Sequence, residues 1–215
     1  MSTDLITNTI APSIGVVFNN GMWLAAFPEV VEALKQGNLG DLNPLPFSMA
    51  FANTLLWTLY AQIGDANYFI FFGNFLGIGL GFWYTTSALY LLGRKSVQIE
   101  AGVEKPDENL NTYRNMSYVF GICGAMITVA FSFFLNGFNA SDDEKRYVIG
   151  GTANVTAIMY FVLPGYTIKT VLATKDASSI SRNMTIANFM NCFCWTIYGF
   201  AVNDPFIYGP NVTGK

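Results

Sequence analysis

Two short segments of the chain carry asparagine, tryptophan and tyrosine at one spacing. The first reads Asn53-Thr-Leu-Leu-Trp57-Thr-Leu-Tyr60 and the second Asn191-Cys-Phe-Cys-Trp195-Thr-Ile-Tyr198. Each is followed by another asparagine after Gly or Pro, Asn74 and Asn211, and each Trp is preceded by an Ala-Asn pair, Ala52-Asn53 and Ala187-Asn188. An asparagine amide both donates and accepts hydrogen bonds, as a hydroxyl does. An indole offers a flat apolar face to the C–H face of a sugar ring. Residues four apart share one face of a helix. The set therefore points to a small neutral polyol held between Trp57 and Trp195, with Asn53, Asn191, Asn74 and Asn211 meeting its hydroxyls. The competing reading is structural, because Trp and Tyr anchor helices at membrane interfaces and Asn can join one helix to another. Duplication at matching positions favours the binding site.

The elements that must position these residues are membrane helices. The 215-residue chain is 52% apolar, 16% aromatic and 12% charged, where soluble domains carry about 25% charge. Apolar runs come near positions 10–34, 46–63, 68–92, 116–138, 147–172 and 184–202, and a seventh begins near Phe206. Runs of this kind suit a hydrocarbon core of about 30 Å. The seventh run stops at Lys215, so only part of its helix is expected in this sequence. The fold class is an all-α integral membrane protein. Cys123, Cys192 and Cys194 sit inside apolar runs and read as packing residues. The first residues, with Asp4 and no basic residue, do not read as a cleaved signal peptide, which leaves the first span as targeting signal.

Basic residues cluster after the odd-numbered spans (Lys35, Arg94, Lys95, Lys105, Arg114, Lys175 and Arg182), while the other side holds Lys145 and Arg146 beside three acids. The positive-inside rule puts the odd-numbered loops in the cytosol and the N-terminus outside. The sequon Asn139-Ala-Ser141 then faces outward.

Around both copies the order of landmarks is the same: Pro28 or Pro164, a basic loop, the Asn-Trp-Tyr set, an opposite loop, then Asn74 or Asn211. Spans one to three and five to seven are thus two copies of one three-helix unit in the same orientation. An odd number of helices per unit requires one linking helix, and the fourth span supplies it, for a 3+1+3 architecture. The expected units are residues 1–92 and 147–215, joined by 93–146, with the polar stretch 93–114 as a loop at the seam. Pro28 and Pro164 fall at equivalent places within their spans, where a missing N–H bends a helix and can serve as a hinge.

No His occurs in the chain, and no acid or base lies away from the span ends. A proton-coupled carrier generally needs a titratable group in the membrane, so uncoupled movement is expected. The absent mid-span Lys argues against a retinal Schiff base. Catalytic triads, metal-ligand clusters, phosphate loops and nucleic-acid motifs are missing as well, so neither an enzyme nor a cofactor is expected.

In the stretches Asn43–Phe47, Leu55–Tyr60, Gly73-Asn74, Tyr166–Val171, Thr174-Lys175, Cys194–Gly199, Asn203–Phe206 and Gly209-Pro-Asn211, the chain resembles the SWEET family of sugar transporters. Parallel repeats are a known feature of that family. The resemblance implies that Asn74 and Asn211 hydrogen-bond the sugar and that Trp57 and Trp195 bracket it. It places Asn53 and Asn191 at pocket positions that vary with substrate size, where Asn leans towards a hexose over sucrose. It puts Tyr60, Tyr198 and Asp204 at an outer gate, and Pro28, Pro46 and Pro164 at three of four hinge prolines. Ser181 stands at or near the fourth, a departure that leaves the hinge of span six in doubt. The expected function is a facilitative sugar uniporter working by alternating access, in the plasma membrane, with a mono- or disaccharide as substrate and a homo-oligomer as one possible assembly. The alternatives are a proton-coupled carrier of an amino or organic acid and a non-transporting receptor or adaptor on the same fold.

Overall fold

The structure, a computed structural model, describes residues 3–40, 42–65, 67–100, 109–162 and 182–213. Regular structure among them is helical. A short turn Thr3–Leu5 and a π-helical turn Ile6–Ile10 lead into α1 (Ala11–Ala25) and α2 (Phe27–Gln36). Then follow α3 (Leu45–Tyr60), α4 (Tyr68–Glu100), α5 (Asn109–Phe134), α6 (Asp142–Val162), α7 (Arg182–Ala201) and α8 (Pro205–Thr213).

Three of these stretches, Thr3–Gln36, Tyr68–Val97 and Thr112–Phe134, are by themselves long and apolar enough to cross a membrane. The second helix of each unit falls short for a reason that bears on function. Helix α3 has 16 residues, about 24 Å at 1.5 Å per residue, and α7 spends its length on Asn188, Asn191 and Thr196. Their polar groups are affordable in a bilayer only on the inner side of a bundle.

The polar stretch 93–114 is not an open loop as its composition suggests. Helix α4 runs on to Glu100 and α5 starts at Asn109. Arg94, Lys95 and Glu100 are good helix formers, so a helix leaving the membrane has no local reason to stop.

Within the first unit, α4 packs against both α1 and α3; within the second, α8 packs against both α6 and α7. The third helix of each unit thus lies between the first and second. The units meet through α1 on α7 and α3 on α6, and α5 lies against α3, α4 and α6. Exchanging the units maps one contact onto the other, the signature of a pseudo-two-fold axis along the helices. The chain is a seven-helix 3+1+3 membrane protein.

Near the end that carries Asp204, the core joins both units: Leu56, Leu59, Tyr60, Ile149, Trp195 and Tyr198 are buried in one cluster. Near the end that carries Pro28, a second cluster of Val30, Phe47, Tyr84, Ala88, Leu92 and Met116 is built by the first unit and α5. Pro28 lies in the first turn of α2, beyond a break at Ala26 (ψ −12°) that divides the first span. Pro46 lies in the first turn of α3. There its missing N–H has no intrahelical partner to lose, so it starts a helix rather than bending one. Pro164 and the Ser181 position lie outside the described residues.

Candidate functional site

Trp57, Trp195, Asn53, Asn191, Asn74 and Asn211 all line one cavity between the two units. Its volume is about 120 Å³, several times the roughly 10–15 Å³ that one water needs. The structure therefore brings together residues up to 158 positions apart in sequence into a single small-molecule pocket with aromatic and amide walls.

The third-helix asparagines are held alike. Asn74 Nδ2 donates to Ile70 O at 2.9 Å and Asn211 Nδ2 to Ile207 O at 2.7 Å, each four residues back on its own helix. That bond uses one N–H, fixes the rotamer and leaves a second N–H and the carbonyl oxygen for a ligand. The aromatic pairs match too. Trp57 meets Tyr60 at 5.3 Å and 78°, and Trp195 meets Tyr198 at 6.0 Å and 71°, both edge-on. Residues three apart on a helix are neighbours, so the sequence spacing makes these contacts.

The second-helix asparagines differ. Asn53 Nδ2 donates to Ala153 O at 2.9 Å and to Thr156 Oγ1 at 3.0 Å, both on α6. Both N–H groups of Asn53 thus join the two units. Asn191 Oδ1 instead accepts from Trp195 Nε1 at 3.0 Å, which locks the indole and leaves the Asn191 amide N–H groups for the cavity. Trp195 is 7% exposed and lies across Gly15 of α1 and Gly73 of α4. A Cβ at either glycine would stand 3.1 Å from its ring, so two glycines of the first unit admit the tryptophan of the second.

Toward the Asp204 end the cavity is closed by bonds that cross between units. Tyr60 Oη donates to Asp204 Oδ2 at 2.7 Å, and Asn67 Nδ2 donates to Tyr198 Oη at 2.7 Å. Asp204 Oδ1 also accepts from Phe206 N at 3.0 Å, and Asn67 Oδ1 from Ile70 N at 3.2 Å. Each is therefore the N-cap of its unit's third helix. Arg146 Nη1 lies 3.9 Å from Asp204 Oδ2, its Nη2 donates to Ile63 O at 2.8 Å, and its guanidinium carbon lies 5.7 Å above the Tyr60 ring. The sequence reading named Tyr60, Tyr198 and Asp204 but missed Asn67 and Arg146. A signal for Asn67 existed: Asn67-Tyr-Phe-Ile70 and Asp204-Pro-Phe-Ile207 stand equally far before Asn74 and Asn211.

Close packing at this end depends on Gly150 of α6. A Cβ there would come within 2.8 Å of both Phe206 and Tyr60. At the start of α6, Ser141 N and Oγ each donate to Glu144 Oε2 at 2.8 Å, and these bonds hold the Glu144 carboxyl below its ordinary value.

Comparison with known proteins gives a consistent picture. A family profile described as "Sugar efflux transporter for intercellular exchange" matches residues 11–96 and 147–215. The bidirectional sugar transporter SWEET5 of Arabidopsis thaliana is 23% identical over 96% of this chain and 80% of that protein. The sugar transporter SWEET1 of Rattus norvegicus is 23% identical over 97% of this chain and 86% of its own length. A 3.7 Å structure of a eukaryotic SWEET transporter superposes with a TM-score of 0.76, at 16% identity, covering 99% of this chain and 92% of that one.

Proposed function

The chain belongs to the family of sugar efflux transporters for intercellular exchange, the SWEET proteins, and from that premise we propose that it is a facilitative, bidirectional uniporter that prefers a hexose to sucrose. The observation that carries this reading is the cavity between Trp57 and Trp195, with Asn74 and Asn211 held in matching poses on either side. Two indole faces suit the C–H faces of a pyranose, and amides with a free N–H and a free carbonyl suit its hydroxyls. Membership in a sugar-transporter family rather than an enzyme family agrees with the absence of a titratable or nucleophilic constellation in the sequence.

In this proposal the units 1–92 and 147–215, joined by 93–146, rock about the cavity to expose it to one side and then the other. The bonds of Tyr60 and Tyr198 form the gate at the Asp204 end, and the breaks at Pro28, Pro46 and Pro164 are the hinges at the opposite end. With the N-terminus outside a plasma membrane, the Asp204 gate faces outward. Two open forms of similar affinity let the sugar run down its gradient in either direction. Self-association of subunits is compatible with this scheme and not required by it.

The test is uptake of labelled glucose by cells that lack hexose transport, expressing the full-length protein. Trp57→Ala, Trp195→Ala and Asn211→Ala should each abolish most of the flux at equal membrane levels. Parent-like transport by all three variants would overturn the site.

A further inference from the structure

The two walls of the cavity are related by the repeat but are not chemically equal. The offset that places Trp57 on Trp195 and Asn53 on Asn191 carries Ala50 of α3 onto Asn188 of α7. Both Ala50 and Asn188 line the cavity. Asn188 is half-buried and makes no side-chain hydrogen bond among the described residues. One turn along α7, about 4.5 Å on, Asn191 presents its amide N–H groups because its oxygen is taken by Trp195. Across the cavity Asn53 has donated both N–H groups to α6, and its lower neighbour is the methyl group of Ala50.

On the sugar-transport reading above, we propose that the substrate binds one-sidedly, and that Asn188 is a specificity-determining residue that hydrogen-bonds a ring hydroxyl no group on the α3 wall can reach. A half-buried amide in a bilayer protein is costly without a partner, and nothing in its surroundings pairs with it. A hydroxyl, donor and acceptor in one group, satisfies an amide as a methyl or a hydrogen cannot. The Ala-Asn pair common to both repeats thus has two meanings. In the first unit its asparagine joins α3 to α6; in the second it sits one turn further from the tryptophan and faces the substrate. The ligand class is a monosaccharide with its more polar edge turned to α7 and its less polar edge to Ala50.

The experiment compares glucose with its monodeoxy analogues in the same uptake assay, using the full chain, with membrane levels measured for each variant. The parent should carry one analogue about 10-fold less effectively than glucose, the effect of one well-placed hydrogen bond. Asn188→Ala should lower glucose transport about 10-fold and carry glucose and that analogue equally. Asn188→Ser, which keeps a donor and an acceptor on a shorter arm, should give an intermediate ratio and covers the case in which Asn188→Ala fails to reach the membrane. A discrimination ratio unchanged from the parent in both variants, or in Asn188→Ser alone if only it is expressed, would overturn the proposal and leave sugar transport standing. Failure of the parent to move any sugar would overturn the transport reading and this proposal together.

Discussion

Asp204 caps the helix that begins at Pro205 with one carboxylate oxygen and accepts a 2.7 Å hydrogen bond from Tyr60 of the other unit with the second. Asn67 does the corresponding work in the first unit, capping α4 and donating to Tyr198 at 2.7 Å. One residue in each unit therefore starts a helix and latches the opposite unit. The two latches differ in charge: the Asp204 side is an anion with Arg146 beside it, and the Asn67 side is neutral.

Removing the Tyr60 hydroxyl should loosen this end without removing the ring, which packs against Trp57 and Phe206. Hydrogen bonds to charged groups contribute about 1.5–3 kcal/mol. Tyr60→Phe should shift the equilibrium towards opening at this end by about 10-fold or more. Spin labels at the exposed positions Gln62 and Asn203 should then report a longer distance population.

The neutral latch should be convertible into a charged one. With Asn67→Asp, the Tyr198 hydroxyl becomes the donor to a carboxylate, as Tyr60 is to Asp204. Charge-assisted bonds are roughly twice as strong as neutral ones, so the variant should hold this end shut longer and slow flux several-fold. Stopped-flow uptake into liposomes would show it as a lower kcat with an unchanged cap. Asn67→Ala should instead lose the cap as well, at a cost of about 0.5–2 kcal/mol, visible as a lower Tm in detergent.

Gly150→Ala tests the packing behind the latch. Its Cβ would come within 2.8 Å of Tyr60 and Phe206, and overpacking of this kind costs about 1–3 kcal/mol. The expected outcome is a lower Tm together with weakened closure. An exposed-face control, Gly151→Ala, meets nothing within 4 Å and should behave like the parent.

Flux should be nearly flat between about pH 5.5 and 8, because the chain has no His and His is the group that titrates there unperturbed. A dissipated proton gradient should leave uptake unchanged. Acid should act on folding instead. The Glu144 carboxyl is held low by Ser141, so its contribution is present above the ordinary Glu value near 4.3 and is lost as pH falls through its lowered value. Ser141→Ala should remove that acid-side dependence from the thermal unfolding curve.

Much of this protein was legible before any coordinates. Apolar runs mark spans because the bilayer leaves a chain few alternatives to a helix. The duplicated Asn-Trp-Tyr sets mark the pocket walls because four-residue spacing is a local property of one helix. The parity of three helices demands a linker, whatever the packing. Local rules also carry the caps at Asn67 and Asp204, although only the second was read.

What the sequence determined by itself was therefore everything that depends on neighbours along one helix: the spans, the repeat, the linker and the facing of Trp57 and Trp195. Only the tertiary structure decided which polar groups are spent and which are free. Asn53 and Asn191 look interchangeable in sequence, yet one donates across 100 residues to α6 and the other accepts from its own helix. The same holds for the latches, whose partners lie 144 and 131 residues apart, and for the glycines that seat Trp195. These choices follow from how the two units are rotated and set against each other, and no spacing within a single helix encodes that rotation.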